Sequence, residues 1–209
     1  MTTMVRFFYT KEVKDKRQMR GLVILALFFG LCNSNAQDNT LYTSTAIIFI
    51  SRHGTTEKVA NMIKDSLGGE QVALYNLKRQ RNPDISQFNR IIIGGSIHAG
   101  RIQSRMARFC KKNEDSLLSK ELGIYLCCLA SGDAAIREFN KAYPEKLRQH
   151  AKAKAFMGYE LYFEKMNPLY RIIMKKISGE KNDVSKLDMQ ALEKFLHDIR
   201  IINGTHSDL

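Results

Sequence analysis

The chain has no tryptophan, three prolines and four cysteines in 209 residues. The cysteines, Cys32, Cys110, Cys127 and Cys128, show neither C-x-x-C spacing nor a metal-ligand pattern. That argues against a disulfide framework, and no metal is expected. Cys127 and Cys128 are adjacent inside an apolar run. In a strand they would face opposite sides of a sheet and act as packing residues. No apolar run reaches the roughly 20 residues that a membrane-spanning helix needs. Acidic residues are also short, 21 Asp and Glu against 33 Lys and Arg, for a net charge of +12. Such a surplus points to an acidic partner: anionic lipid, nucleic acid or a polyanionic ligand. No nucleic-acid-binding motif is recognisable, so nucleic acid is not expected. There is no internal repeat and no low-complexity tract.

What is present divides in two. Residues 1–38 read as a leader. Lys11, Lys14, Lys16, Arg17 and Arg20 precede an apolar run of about a dozen residues, which ends near Cys32, and Asn-Ser-Asn-Ala-Gln follows. A basic region, a short apolar region and a small-x-small site at Ala36 describe a secretory signal. A membrane anchor, or a start placed too early, is the alternative. Cleavage after Ala36 implies a periplasmic protein, whereas an anchor or a later start implies the cytoplasmic face of a membrane. Residues 39–209 read as one domain.

From residue 45 strand and helix patterns alternate. Strands are expected over 45–51, 71–77, 90–96, 122–130 and 153–161. Helices are expected over 55–67, 104–118 and 133–150, the last broken near Pro144. Two more are expected over 162–178 and 185–202. Val59, Ile63 and Leu67 recur at helical spacing. The run Arg90-Ile-Ile-Ile-Gly-Gly-Ser96 is continuous enough for a strand buried on both faces. Five strands separated by helices predict an open parallel sheet covered on both sides, a three-layer α/β sandwich. Ligands of such sheets bind beyond the carboxyl ends of the strands, where strand order reverses.

Three loops lie at that edge. The first is Ser51-Arg52-His53-Gly54-Thr55-Thr56. A phosphate needs converging N–H and O–H donors with the positive end of a helix dipole behind them. Ser51, Thr55 and Thr56 offer hydroxyls, and Gly54 permits a tight turn. The loop reads as an anion-binding loop for the phosphate of flavin mononucleotide (FMN). The same residues also suit an ordinary capped turn. The second loop runs from Gly94 through Ser96, Ile97, His98, Ala99 and Gly100 to Arg101, and its glycines would let backbone approach a flat ring. The third holds Leu129, Ala130, Ser131, Gly132 and Asp133. Segment 162–181 interleaves Tyr162, Phe163, Met166, Leu169, Tyr170, Ile172, Ile173, Met174 and Ile177 with Lys165, Arg171, Lys175, Lys176 and Lys181. An amphipathic basic helix suits an anionic membrane surface or a porphyrin's flat face and carboxylates.

With the three loops in register, residues 46–199 resemble the flavodoxin family, in which the 51–56 loop stands where the phosphate loop does. His53 departs from the usual hydroxyl residue. The resemblance is strongest to the menaquinone-dependent protoporphyrinogen IX dehydrogenase branch. The matching stretches are I-I-I-G-G-S-I-H-A-G-R at 91–101, F-C-K-K-N at 109–113 and N-P-L-Y-R-I-I-M-K-K-I-S-G-E-K at 167–181. It implies a flavodoxin-like fold with strand order 2-1-3-4-5 and an extra basic helical insertion after strand five. It also implies FMN as cofactor, protoporphyrinogen IX as substrate and menaquinone as acceptor. His98 is then a candidate acid-base group. That family usually sets an aromatic against the flavin. This chain has no tryptophan, and Ala99 sits where this branch carries an aromatic. The alternatives are an electron carrier or quinone reductase with another partner, and a non-catalytic membrane-associated domain binding a tetrapyrrole. The strong positive charge disfavours a carrier that docks on basic partners.

Overall fold

The computed structural model describes residues 44–68 and 71–201. The leader expected over 1–38 lies outside the described residues. The chain enters the core with β1 (Thr45–Phe49), which is buried at every position. There follow α1 (Thr55–Ser66), β2 (Val72–Asn76), β3 (Arg90–His98) and the two-residue β4 (Arg101–Ile102). Next come α2 (Ser104–Lys112), α3 (Glu114–Leu118), β5 (Glu121–Cys127), α4 (Gly132–Ala142), α5 (Glu145–His150) and β6 (Ala153–Phe156). The chain continues through β7 (Gly158–Leu161), a 3-10 turn (Phe163–Lys165), α6 (Pro168–Ser178), β8 (Val184–Leu187) and α7 (Met189–Ile201).

Strands β2, β1, β3, β5 and β6 pair in that order, every pair parallel. With the short hairpin strand β4 set aside, this is the 2-1-3-4-5 order implied above. The order in which strands are added reverses at the β1/β3 boundary, so the connections after these two strands run to opposite faces and leave a crevice. Phe49, Gly94 and Tyr125 stand side by side across the sheet, so all three loops leave from one edge.

Alternate side chains of each strand feed two cores. Ile47, Phe49 and Ile92 pack with Val59 and Ile63 of α1 and Phe195 and Ile199 of α7. Ile48, Ile91 and Ile93 pack with Met106, Phe109, Leu117 and Phe139 on the other face. Each such buried aliphatic side chain contributes roughly 1.5–3 kcal/mol relative to exposure. Cys127 and Cys128 fall in opposite cores, as their adjacency predicts.

Four sequence expectations shift. The strand expected over 153–161 is two strands. Gly158 turns the chain at φ +69°, and a Cβ there would lie 1.9 Å from the carbonyl oxygen of Lys186. Beyond it β7 leaves the main sheet and pairs antiparallel with β8. The closing helix therefore starts at Met189 and not near 185, with the Asp188 carboxylate accepting from the Ala191 amide. The helix expected over 104–118 breaks at Asn113, whose side-chain amide donates to the carbonyl of Phe109. Within the segment expected to be helical over 162–178, only Pro168–Ser178 is α-helix. Asn167 caps it by accepting from the Tyr170 amide at 2.8 Å, and Gly179 ends it in a left-handed conformation.

Candidate functional site

The first loop turns tightly into α1. Ser51 is buried, and its hydroxyl accepts from the Gly54 amide at 3.0 Å, closing the turn. Gly54 has φ +103°, and a Cβ there would meet nothing within 4 Å. The glycine serves the backbone angle and leaves open space beside it. No side chain caps the N-terminus of α1. Its first amides and dipole face the cleft, an arrangement suited to phosphate. Sheet residues hold this terminus in place. The Tyr125 hydroxyl donates to the carbonyl of Thr56 at 2.9 Å, and the Thr56 side chain hydrogen-bonds the Cys127 thiol. Burial pushes Cys110, Cys127 and Cys128 each up to about 12, so none of these thiols is a nucleophile at neutral pH.

The second loop is a hairpin, and this corrects the expectation for its glycines. Gly94 and Gly95 lie inside β3. A Cβ on Gly94 would come 2.0 Å from the Tyr125 ring, and one on Gly95 would collide with Ile102 and Tyr143. They are glycines because core rings cross them, not because a ligand approaches. The tip is Ala99 and Gly100, with φ of 50° and 72°, as a two-residue hairpin turn requires. Gln103 fastens the base. Its side chain accepts from the Ser96 amide at 3.2 Å and donates to the Ser96 hydroxyl at 2.6 Å and the Ile50 carbonyl at 3.4 Å. The Ser96 hydroxyl also hydrogen-bonds His98 Nε2, 3.1 Å away, and the imidazole tautomer sets which of the two donates. Burial, with His53, Arg52 and Lys78 nearby, lowers His98 to about 4. That is well below the near-neutral range expected of an acid-base group.

Ser51, Arg52, His53, Thr55, Thr56, Ser96, Ile97 and His98 line one cleft of about 70 Å³. His98, Ala99, Gly100, Leu129 and Ala130 line an adjoining cavity of about 340 Å³. The second volume lies in the range of small-molecule pockets, roughly 300–1,000 Å³. Ser131 and Gly132 line neither; they border a depression beyond Leu129. The donor set fits FMN. An uncapped helix terminus and hydroxyls suit its phosphate, and the cavity between the hairpin and the 129–130 segment suits a flat ring. Glu138 Oε2 is buried without a partner, a free acceptor among the residues of that cavity.

Residues outside the three loops complete the site. α6 roofs it: Tyr170 and Met174 line both the cleft and the cavity. The His53 and Tyr170 rings stack at 5.0 Å and 14°, and the Arg52 guanidinium lies 5.7 Å from the Tyr170 centroid. His53 Nε2 is buried without a partner. Burial, followed by Arg52 and Lys78, lowers its pKa. Glu160 of β7 is buried beneath the cleft. Its carboxylate accepts from Lys58 Nζ and Ser185 Oγ, both at 2.7 Å. Burial opposes its ionisation, but these bonds and one from Tyr162 outweigh it and hold the carboxyl below its usual range. Lys58 is thus engaged with Glu160, on the side of α1 facing β7. The outer face of α6 is apolar and exposed: Leu169 is 70%, Ile172 67% and Ile177 66% accessible. Among the described residues no helix is long and apolar enough to cross a membrane, and no group of side chains is arranged to hold a metal.

The family described as flavodoxin domain matches residues 46–188. The protoporphyrinogen IX dehydrogenase [quinone] of Escherichia coli strain K12 is 26% identical over 172 residues, covering 74% of this chain and 93% of that protein. The protein of the same name from Escherichia coli O157:H7 gives the same figures. Among solved structures, rubredoxin oxygen:oxidoreductase from Desulfovibrio gigas is 15% identical with a TM-score of 0.48, over 78% of this chain and 36% of that one. The WrbA-like flavodoxin from Agrobacterium tumefaciens is 14% identical with a TM-score of 0.47, over 79% and 99% of the two chains. The match to the family spans more than half of the chain, and this protein belongs to the flavodoxin domain family.

Proposed function

We propose that this protein binds FMN and oxidises protoporphyrinogen IX, passing electrons to a membrane quinone, menaquinone by the resemblance of its sequence. Membership of the flavodoxin domain family supports a flavodoxin-type FMN oxidoreductase. The observation that carries the cofactor is the uncapped N-terminus of α1 behind an open Gly54, continuous with a ring-sized cavity. Ser51, Arg52, His53, Gly54, Thr55 and Thr56 would hold the phosphate. Ser96, Ile97, His98, Ala99, Gly100 and Ala130 would border the ring, with Ser131 and Gly132 at the start of the following helix. FMN supplies the electron-transfer chemistry when bound. The chain binds and orients it, and α6 helps cover it from water.

The substrate is supported by the name of the Escherichia coli relatives at 26% identity and by charge. Protoporphyrinogen carries carboxylates on an apolar macrocycle. The insertion pairs Arg171, Lys175 and Lys176 with an exposed apolar face. The same face would rest on anionic lipid, where a quinone resides. His98, neutral and held by Ser96, would serve as a hydrogen-bonding neighbour of the ring. Anaerobic oxidation of protoporphyrinogen IX by the FMN-loaded protein with a quinone, followed by porphyrin fluorescence, tests this reading. Quinone-dependent porphyrin formation supports it. FMN binding without porphyrin formation would leave an FMN protein with another substrate.

A further inference from the structure

On the FMN reading, the flavin ring needs a flat neighbour within its cavity. The two loops that wall the cavity carry no aromatic ring besides His98: the hairpin tip is Ala99 and Gly100, and the opposite wall is Leu129 and Ala130. The chain has no tryptophan to supply one. Tyr170 enters from the inserted helix. It lines both the phosphate cleft and the ring cavity, at their junction. Its position is fixed twice. The Tyr170 amide is tied to the Asn167 cap, and its ring packs on the small core of Leu161, Phe163, Met166 and Met174.

One face of this ring carries the His53 imidazole, near parallel at 5.0 Å. Nothing polar holds His53 there, since its Nε2 is buried and unpartnered. A buried donor or acceptor without a partner is a cost that leaving would relieve. A flavin ring offers Tyr170 a far larger flat surface than an imidazole does. The other aromatic beside the cleft, Tyr159, has its hydroxyl on Glu180 and borders the cleft and the depression beyond Leu129, not the ring cavity.

We infer that Tyr170 is the aromatic platform for the isoalloxazine ring, and that His53 occupies this platform until the flavin displaces it. The inserted helix is then part of the cofactor site as well as a surface. The loop backbone at His53 remains in the phosphate turn while its side chain moves.

The test uses full-length apoprotein, FMN and flavin fluorescence. A tyrosine stacked on an isoalloxazine quenches it, so wild-type protein should quench FMN strongly on binding. Tyr170→Ala should bind FMN about 3- to 10-fold more weakly, the value of a lost aromatic pair. Its bound flavin should be several-fold brighter than the wild type's, judged against the usual strength of such stacking. Tyr170→Phe, which keeps the ring and packing, should match the wild type in affinity. Circular dichroism of both variants checks that α6 still folds. Tyr159→Ala should quench like the wild type. Unchanged affinity and quenching in Tyr170→Ala, or loss of quenching in Tyr159→Ala alone, overturns the inference. Failure of the wild-type protein to bind FMN overturns the cofactor reading itself, and this inference with it.

Discussion

The Tyr125 hydroxyl reaches from β5 across Gly94 to the carbonyl of Thr56, 2.9 Å away, and so ties the first turn of α1 to the centre of the sheet. Both groups are fully enclosed. Tyr125→Phe keeps the ring and removes one of that carbonyl's two donors, the other being the helical amide four residues on. The expected cost is about 0.5–1.5 kcal/mol, the net value of one hydrogen bond. Urea denaturation measures it. FMN affinity should fall as well, because the hydroxyl fixes the turn that faces the phosphate.

Gly158 is where the main sheet ends and the insertion begins. Its φ is +69°, and a Cβ added there would fall 1.9 Å from the Lys186 carbonyl oxygen, which leaves no room for a side chain. Gly158→Ala should destabilise by about 2–4 kcal/mol through combined backbone strain and collision. Loss of the β7–β8 pairing should follow, read by hydrogen exchange at Tyr159 to Leu161. By contrast Gly179, also at positive φ but with nothing within 4 Å, should tolerate Asn.

The paired histidines set a pH dependence. His98 is lowered from 6.5 to about 4, by burial first and then by His53, Arg52 and Lys78. Between these values the unfolded chain binds the extra proton, so stability falls as pH drops from about 6.5 towards about 4. His53 is lowered in the same direction. His98 retains some solvent contact, which reduces the effect to on the order of 1 kcal/mol. His98→Gln should flatten this slope in thermal melts of the apoprotein across that range.

Most of the frame was legible in the sequence. The runs at 45–51 and 90–96 are apolar on both faces, and only a central parallel strand satisfies that. The candidate phosphate loop stood out because its signal is local: a strand, a glycine and hydroxyls in one short segment. What failed to show was long-range. Val184–Leu187 has no strand pattern of its own and becomes one by pairing with β7. Gly94 and Gly95 resemble ligand-binding glycines until the Tyr125 and Tyr143 rings are seen across them. Gln103 gives no sign, in sequence, that it holds Ser96. Glu160 looks like a surface carboxylate until Lys58 and Ser185 enclose it. Tyr170 was visible as part of an amphipathic stripe, but its spacing could not reveal that one member of the stripe turns inward onto His53.

The outward members of that stripe make a separate prediction. Leu169, Ile172 and Ile177 are exposed beside Lys175 and Lys176. The protein should sediment with vesicles rich in anionic lipid, and less with neutral ones. Leu169→Glu combined with Ile172→Glu should abolish this while leaving the fold intact, since neither side chain is in a core. Equal binding to both vesicle types, or binding that survives the double substitution, would contradict the assignment of this face.

FMN is proposed to sit with its phosphate in the Ser51–Thr56 turn. Calorimetric titration of apoprotein with FMN, wild type beside Gly54→Val, tests it most directly. The valine side chain would project into the open space beside the turn and strain its backbone. One FMN per chain in the wild type, with binding abolished in Gly54→Val while the fold is retained, is the predicted result. No uptake by the wild type, or equal uptake by the variant, would contradict it.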